Sequence, residues 1–414
     1  MILLSHPTAN QNVRQAAIAF AEAGLLAEFW TCVNWHRNGL LDRLFAVAPA
    51  LQGELRRRSF PSELDPFIHT HGRREWGRQF ANHFGSQWLT RKNGIFDIDG
   101  VYHSLDRRVA RRLRQGLPIK AVYSYDDGAL ETFQAAKKLG IFCFYEHPIV
   151  HWRLAQKIQQ EEAQLRPEWA PTLIALGDSE EKLTRKDEEL ALADLVITPS
   201  SFSKESLGVA GNLTARVRVI PYGTNPISLQ VSRPRKEGKL RVLFVGALTQ
   251  AKGLGYLLEA VEQLQDRIDL TLVGRRVSAT IPTRTVLQRH HWIPSLSHPE
   301  LLREMVRHDV LVLPSLNEGF GLVLAEAMGQ GLTVITTAHT AGPELFVDGV
   351  EGFIVPIRSS EAIAAKLLLL DGERDRLASM QEAAQRRSMT NSWEDYRRRL
   401  VQLAREVMAR KFVL

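Results

Sequence analysis

Two cysteines in 414 residues cannot make a disulfide framework. Cys143 lies in the apolar run Ile141-Phe142-Cys143-Phe144, where a buried free thiol is expected, and a reducing cytoplasm fits both. No apolar run reaches the ~18–20 residues of a membrane-spanning helix. Met1-Ile2-Leu3-Leu4 runs into Ser5-His6-Pro7 without the basic opening or long apolar stretch of a secretory signal. Nor is there the bias or repeat of a coiled coil, collagen or a disordered chain. What remains is ordinary globular composition, 44% apolar and 24% charged, in a chain long enough for about two or three domains.

The charge is local. Fourteen Lys/Arg against seven Asp/Glu between Leu51 and Lys120 account for the whole net charge of +7. The clusters are Arg56-Arg57-Arg58, then Arg73, Arg74 and Arg78, then Arg107 to Arg114, and they suggest an anionic surface or ligand.

The second half of the chain alternates buried strands and helices. Leu240–Gly246, Asp269–Gly274 and Asp309–Pro314 are short apolar runs, with a weaker strand at Thr285–Gln288 and another at Thr333–Thr337. Gly253–Leu264 and Gly321–Met328 carry helical spacing, and Ser297-His-Pro-Glu300 reads as a capping box. The first half has the same grammar less cleanly: strands at Ile2–Leu4, Glu28–Cys32, Ile119–Ser124, Ile141–Glu146, Leu195–Thr198 and Val217–Ile220. Leu51–Asp97 has no clear period and reads as a helical insertion, and Val231–Lys239 is the best linker. This predicts an α/β protein of two doubly wound parallel-sheet domains: residues 1–232, residues 233–391, and a helix over 392–414 that crosses back to the first domain.

The strongest chemical signal is Pro314-Ser-Leu-Asn-Glu318-Gly-Phe-Gly321-Leu-Val-Leu-Ala-Glu326. It places a strand end, a carboxylate, a Gly319-Phe320-Gly321 turn and a helix in series. A turn that opens a helix offers free N–H groups and a positive dipole end to an anion. Glu318 and Glu326 are spaced along a ligand, suiting a phosphate at the turn with sugar hydroxyls on either side.

These residues resemble the E-x7-E motif of the retaining family-4 glycosyltransferases of the GT-B fold. The resemblance continues through Phe244-Val-Gly246, Lys252-Gly253, Gly342-Pro-Glu344 and Gly352-Phe-Ile-Val-Pro356, and in the first half through Ala193–Ser200 and Val219–Gly223. It implies two Rossmann-like domains facing across a cleft, a UDP-, GDP- or ADP-sugar donor in the second, and transfer with no metal. By it, Glu318 lies beside the donor sugar, Glu326 on the ribose and Lys252 on the departing diphosphate, with Gly246 and the Gly319–Gly321 turn lining the donor. His147, in Phe144-Tyr-Glu-His147-Pro, matches a histidine near the reacting sugar that bonds the sugar or orients the acceptor. The chain departs from the pattern at Ala247, where the family has arginine; Arg275 or Arg276 is the candidate replacement. The N-terminal loop Ser5–Asn12 lacks the family's glycine pair, leaving Asn10 or Asn12 to donate instead.

No G-x-G-x-x-G follows the first strand of either half, which argues against a dinucleotide-dependent oxidoreductase. The aromatics of a nucleic-acid module are missing, so no nucleic-acid partner is expected. A domain that binds a sugar nucleotide without transferring it is the remaining rival. His69/His71 and His290/His291 are weak ligand patterns, and no metal site is expected. The acceptor is a sugar, a lipid-linked molecule or a small molecule. The basic stretch Arg56–Arg114 adds an anionic membrane surface as a candidate partner. On Asp106–Gln115, Val109 and Leu113 share one side, so this helix either lies on a bilayer or packs into its own domain. The expected location is the cytoplasm, with the inner membrane face as its docked form.

Overall fold

Short apolar runs become parallel strands here because helices cover both faces of each sheet. The computed structural model describes every residue except 38, 212, 226–236, 279–287 and 412–414. The first sheet holds β1 (Ile2–Ser5), β2 (Leu26–Thr31), β3 (Ile68–Thr70), β4 (Ala121–Tyr125), β5 (Phe142–Glu146), β6 (Leu195–Thr198) and β7 (Arg216–Val219). Their order is β3-β2-β1-β4-β5-β6-β7, all parallel. The second holds β8 (Leu240–Val245), β9 (Ile268–Val273), β10 (His291–Ile293), β11 (Val310–Leu313), β12 (Thr333–Thr337) and β13 (Gly352–Val355). Its order is β10-β9-β8-β11-β12-β13, again parallel. The chain order reverses between β1 and β4 and between β8 and β11, and doubly wound sheets bind ligands at such switch points, beyond the carboxyl ends of the strands.

Leu254–Leu264 shows why these elements hold. Leu254, Leu257, Ala260 and Val261 form one helical face, and all are buried. Leu257 is fully buried, so Leu257→Ala would cost about 2–5 kcal/mol through lost burial and the cavity left behind.

The chain passes between the domains side by side with itself. Thr224 bridges to Ser392, and the Trp393 N–H donates to the Thr224 carbonyl at 3.1 Å. From there helix Trp393–Lys411 packs along helix Gln11–Glu22 of the first domain, where Arg397 reaches Gln15 at 2.6 Å and Glu22 at 3.3 Å.

One sequence expectation changes, and two lie mostly outside the described residues. Leu51–Asp97 is not wholly helical: β3 pairs with β2 at the sheet edge. A three-residue, half-exposed strand carries too few positions to show a period. The strand expected at Thr285–Gln288 lies almost wholly outside the described residues, and the strand observed beside β9 is β10. Most of the linker Val231–Lys239 lies outside them too.

Candidate active site at the two switch points

At the β8/β11 switch point the local chain is built by close backbone approach. Gly253 has φ +70°, and a Cβ there would sit 2.0 Å from the Pro314 carbonyl oxygen, so only glycine fits. The Leu316 N–H donates to the Ala251 carbonyl at 2.9 Å, locking the Gln250–Lys252 turn to the loop after β11. The result is an ion pair between the Lys252 Nζ and the Glu318 carboxylate, both partly exposed. Burial pulls the Lys252 ammonium down to about 8; the Glu318 carboxylate works against that by holding its proton on. Gly246 ends β8, its N–H donating to Val273 at 2.9 Å. Arg275 and Arg276 are exposed on the adjoining loop, which is tied back to Leu248.

The turn after Glu318 touches the other domain. A Cβ on Gly319 would lie 1.9 Å from the Pro148 carbonyl oxygen, so this position too must be glycine. The Gly319 carbonyl accepts from Ser200 Oγ at 2.6 Å and Ser203 Oγ at 3.0 Å, and the ring of Phe320 packs edge-on against Tyr222. Gly321 caps helix Leu322–Gly329 in the left-handed region, with no side-chain cap and no acid in the first turn. Glu344 accepts from the Ser201 N–H at 2.5 Å. Behind Lys252, the buried Glu162 accepts from Gln250 at 2.7 Å and from Tyr256 at 2.9 Å, and pairs with Arg358. The donor-side loops are therefore held by first-domain side chains that lie far apart along the chain. The N-cap serines of Pro199-Ser-Ser-Phe-Ser203 were the readable signal.

Glu326 lies in the second turn of that helix and accepts from His298 Nε2 at 2.9 Å. The hydrogen bond and the charge of Glu326 raise His298. Both line a cavity of about 310 Å3 together with Gln11, Arg14 and Trp393. His298 sits inside the capping box Ser297–Glu300, which the structure contains.

Across the cleft, His147 ends β5 with its ring buried and stacked on Tyr145. Its Nδ1 is 3.3 Å from Asp126 Oδ1. Spacing along the chain ties no carboxylate to His147; the pairing of β4 with β5 does, since Tyr125 stands opposite Glu146. Burial works to raise Asp126, but the Lys186 ammonium outweighs it and holds the carboxyl well below its ordinary range. Neighbouring Glu146 is buried and accepts from Tyr123, from Tyr222 at 2.6 Å and from Asn12 at 3.1 Å. Burial raises its carboxyl above the ordinary range. Asn12 lies in the interior, its amide donating to Glu146 and Tyr222. Asn10 is exposed at the start of the first helix, and its Oδ1 accepts from Thr8 at 3.1 Å.

Of the two readings of helix Ile98–Leu113, the structure shows packing into its own domain. Val109 and Leu113 of helix Ile98–Leu113 are buried in the first domain, so this helix has no free apolar stripe for a bilayer. Several arginines of the stretch Arg56–Arg114 are engaged: Arg112 pairs with Glu28 at 2.6 Å, Arg58 with Glu75 at 2.7 Å and Arg56 with Asp42 at 2.8 Å. His69 stacks on Trp30, and His71 lies 3.1 Å from the Ser104 hydroxyl. Among the described residues no helix is long and apolar enough to cross a membrane.

Residues 228–387 match the family model described as "Glycosyl transferases group 1". Over 198 residues the chain is 28% identical to the amylovoran biosynthesis glycosyltransferase AmsK of Erwinia amylovora, covering 44% of this chain and 49% of that protein. It is 29% identical over 245 residues to the D-inositol 3-phosphate glycosyltransferase of Xylanimonas cellulosilytica, covering 52% and 58%. The chain spans about half the length of the curated relatives it matches. Among solved structures, sucrose-phosphate synthase of Thermosynechococcus elongatus superposes over 99% of each chain with TM-score 0.63 at 19% identity. The chain therefore has the GT-B fold, and its second domain matches the group 1 glycosyl transferases.

Proposed function

We propose that the chain is a retaining glycosyltransferase of family-4 type, carrying a sugar from a UDP-, GDP- or ADP-sugar to an acceptor hydroxyl in the cleft. The observation that carries this reading is the Lys252–Glu318 pair at the β8/β11 switch point, beside an uncapped helix N-terminus. Breaking the bond from the anomeric carbon to the diphosphate builds negative charge on the leaving group. The Lys252 ammonium and the N–H groups after Gly321 are fixed where they stabilise that charge without reorganising. Glu318 holds sugar hydroxyls, and Glu326 exchanges His298 for the ribose. His147, steadied by Asp126, orients the acceptor or the sugar. The acceptor oxygen attacks on the face the diphosphate leaves. Its proton passes to the departing phosphate oxygen, so configuration is retained with no protein nucleophile. The contacts of Gly319 with the first domain support a closed cleft, which keeps water from the donor. The acceptor is a sugar, lipid-linked or small-molecule hydroxyl, and the site of action is the cytoplasm.

Ala247 favours a second reading, a domain that binds the donor without transferring it. One experiment separates the two: a panel of UDP-, GDP- and ADP-sugars is screened by thermal shift, then for released nucleoside diphosphate and for the anomeric configuration of the product by NMR. Stabilisation with release and a retained anomer is expected. Stabilisation without release would favour the binding domain, and an inverted anomer would remove the retaining mechanism.

A further inference from the structure

Glu162 belongs to the first domain, on helix Trp152–Leu165, and its side chain is fully buried. Among the described residues, every hydrogen bond its carboxylate accepts comes from the second domain. Oε1 accepts from Gln250 Nε2 at 2.7 Å and from the Tyr256 hydroxyl at 2.9 Å. Oε2 accepts from Arg358 Nε at 2.9 Å. A buried carboxylate is tolerated only with its lone pairs met, so these donors fix Glu162 and are fixed by it.

Arg358 shows that the contact is built rather than incidental. It stands three residues past β13 at φ +62°, a left-handed backbone that residues other than glycine seldom adopt. From there its guanidinium crosses the domain boundary and meets three acceptors on one helix: Glu162, Glu161 at 3.1 Å and the Ile158 carbonyl at 3.2 Å.

The far end of this contact is the turn that carries Lys252. Gln250 opens that turn and is fully buried. Its amide is held on both sides, Nε2 by Glu162 and Oε1 by the Gly255 N–H at 2.9 Å. Its backbone N–H donates to Thr172 Oγ1 of the first domain at 3.0 Å. Two first-domain side chains therefore fix the residue that leads, through one alanine, to Lys252.

From these contacts we propose that Glu162 is a positioning residue for Lys252. It acts through Gln250, and Arg358 holds it in place. A first-domain carboxylate thus sets a second-domain cation, and the Lys252 turn is complete only while the two domains are together. The inference rests on the leaving-group role proposed for Lys252.

Steady-state kinetics with the donor that turns over in the sugar-nucleotide panel test it. Glu162→Gln keeps the shape but sets an amide N–H against Gln250 or Arg358. It should lower kcat by about 10–10²-fold, the cost of a slightly misplaced catalytic group, with donor KM within about threefold of wild type. Arg358→Ala should act in the same direction, and Arg358→Lys should recover part of the loss. In a Lys252→Ala background, Glu162→Gln should lower kcat by less than about twofold, because the group it positions is gone. Losses that multiply in the double variant would mean a purely structural Glu162 and would overturn the proposal. So would a raised donor KM at unchanged kcat. If Glu162→Gln does not fold, wild-type kcat in Arg358→Ala would overturn it equally. Lys252→Ala with wild-type kcat would bring down the leaving-group role and this inference together; a loss in Lys252→Ala beside a wild-type Glu162→Gln would bring down this inference alone. A crystal structure of Glu162→Gln gives a readout free of donor chemistry. It should show the Gln250–Lys252 turn displaced and the Lys252–Glu318 pair broken, and a turn left in place would overturn the proposal.

Discussion

The two switch points share one topology and use their charges in opposite ways. At β8/β11, Lys252 is 26% exposed and Glu318 19%, and each is the other's partner, so both can turn to a ligand. Beside the β1/β4 switch point, Asp126, Glu146 and His147, which follow β4 and close β5, are buried, and their partners are protein: Lys186, a set of tyrosines and Asn12. A charge that must act on a leaving group is kept reachable and preorganised. A buried charge with its hydrogen bonds filled fixes shape, and removing one partner leaves the other unsatisfied. Contiguous motifs therefore mark most of the second domain, while the network of the first, which includes Tyr222 and His147 of matched segments, is assembled by strand pairing across the sheet.

The sharpest way to break this contrast is Lys252→Ala. On the proposed role, kcat falls by about 10²–10³-fold, as when one preorganised donor to a developing charge is lost. Donor KM changes much less. Steady-state kinetics with the identified donor check this, and a rise in KM at unchanged kcat would move Lys252 out of the leaving-group role.

Next in size is a pH effect. Lys252 stabilises the leaving group only while protonated; burial lowers its ammonium to about 8 and the Glu318 carboxylate opposes that, so kcat should decline as pH rises above about 8. Lys252→Arg should flatten the limb, because guanidinium keeps its charge. Glu318→Gln should move the limb to lower pH, because the carboxylate favours the ammonium. A pH profile unchanged in both variants would separate Lys252 from the chemistry.

Smaller again, Glu326→Ala should weaken donor binding by about 1.5–3 kcal/mol in calorimetry, the range for hydrogen bonds to a charged group. Unchanged affinity would remove Glu326 from the ribose. The first-domain counterpart is Asn12→Ala. It should lower stability by about 1–3 kcal/mol in urea unfolding, because Glu146 and Tyr222 lose a buried partner, with donor KM unaltered. A changed KM at unchanged stability would return Asn12 to the ligand.

What could be read from sequence follows the same division. The β–α alternation of the second half and the Glu318–Glu326 segment are contiguous, so period and turn chemistry expose them. The pairing of Lys252 with Glu318 is not contiguous; it depends on Gly253 lying under Pro314. In the first half, Asn12 shares the inward face of its helix with Val13 and Ala16. That face could not be assigned until strand neighbours were known. Asp126 meets His147 through strand pairing alone. Val109 and Leu113 showed an apolar stripe, but periodicity does not say whether protein or lipid covers it, and here protein does.

On the proposed function, the β8/β11 switch point takes the nucleoside diphosphate of a sugar donor. A crystal structure with a nucleoside diphosphate bound tests it most directly. Diphosphate oxygens should lie within hydrogen-bond reach of Lys252 Nζ and of the N–H groups after Gly321, with the ribose on Glu326. A nucleotide bound elsewhere, with the Lys252–Glu318 pair intact, would contradict it.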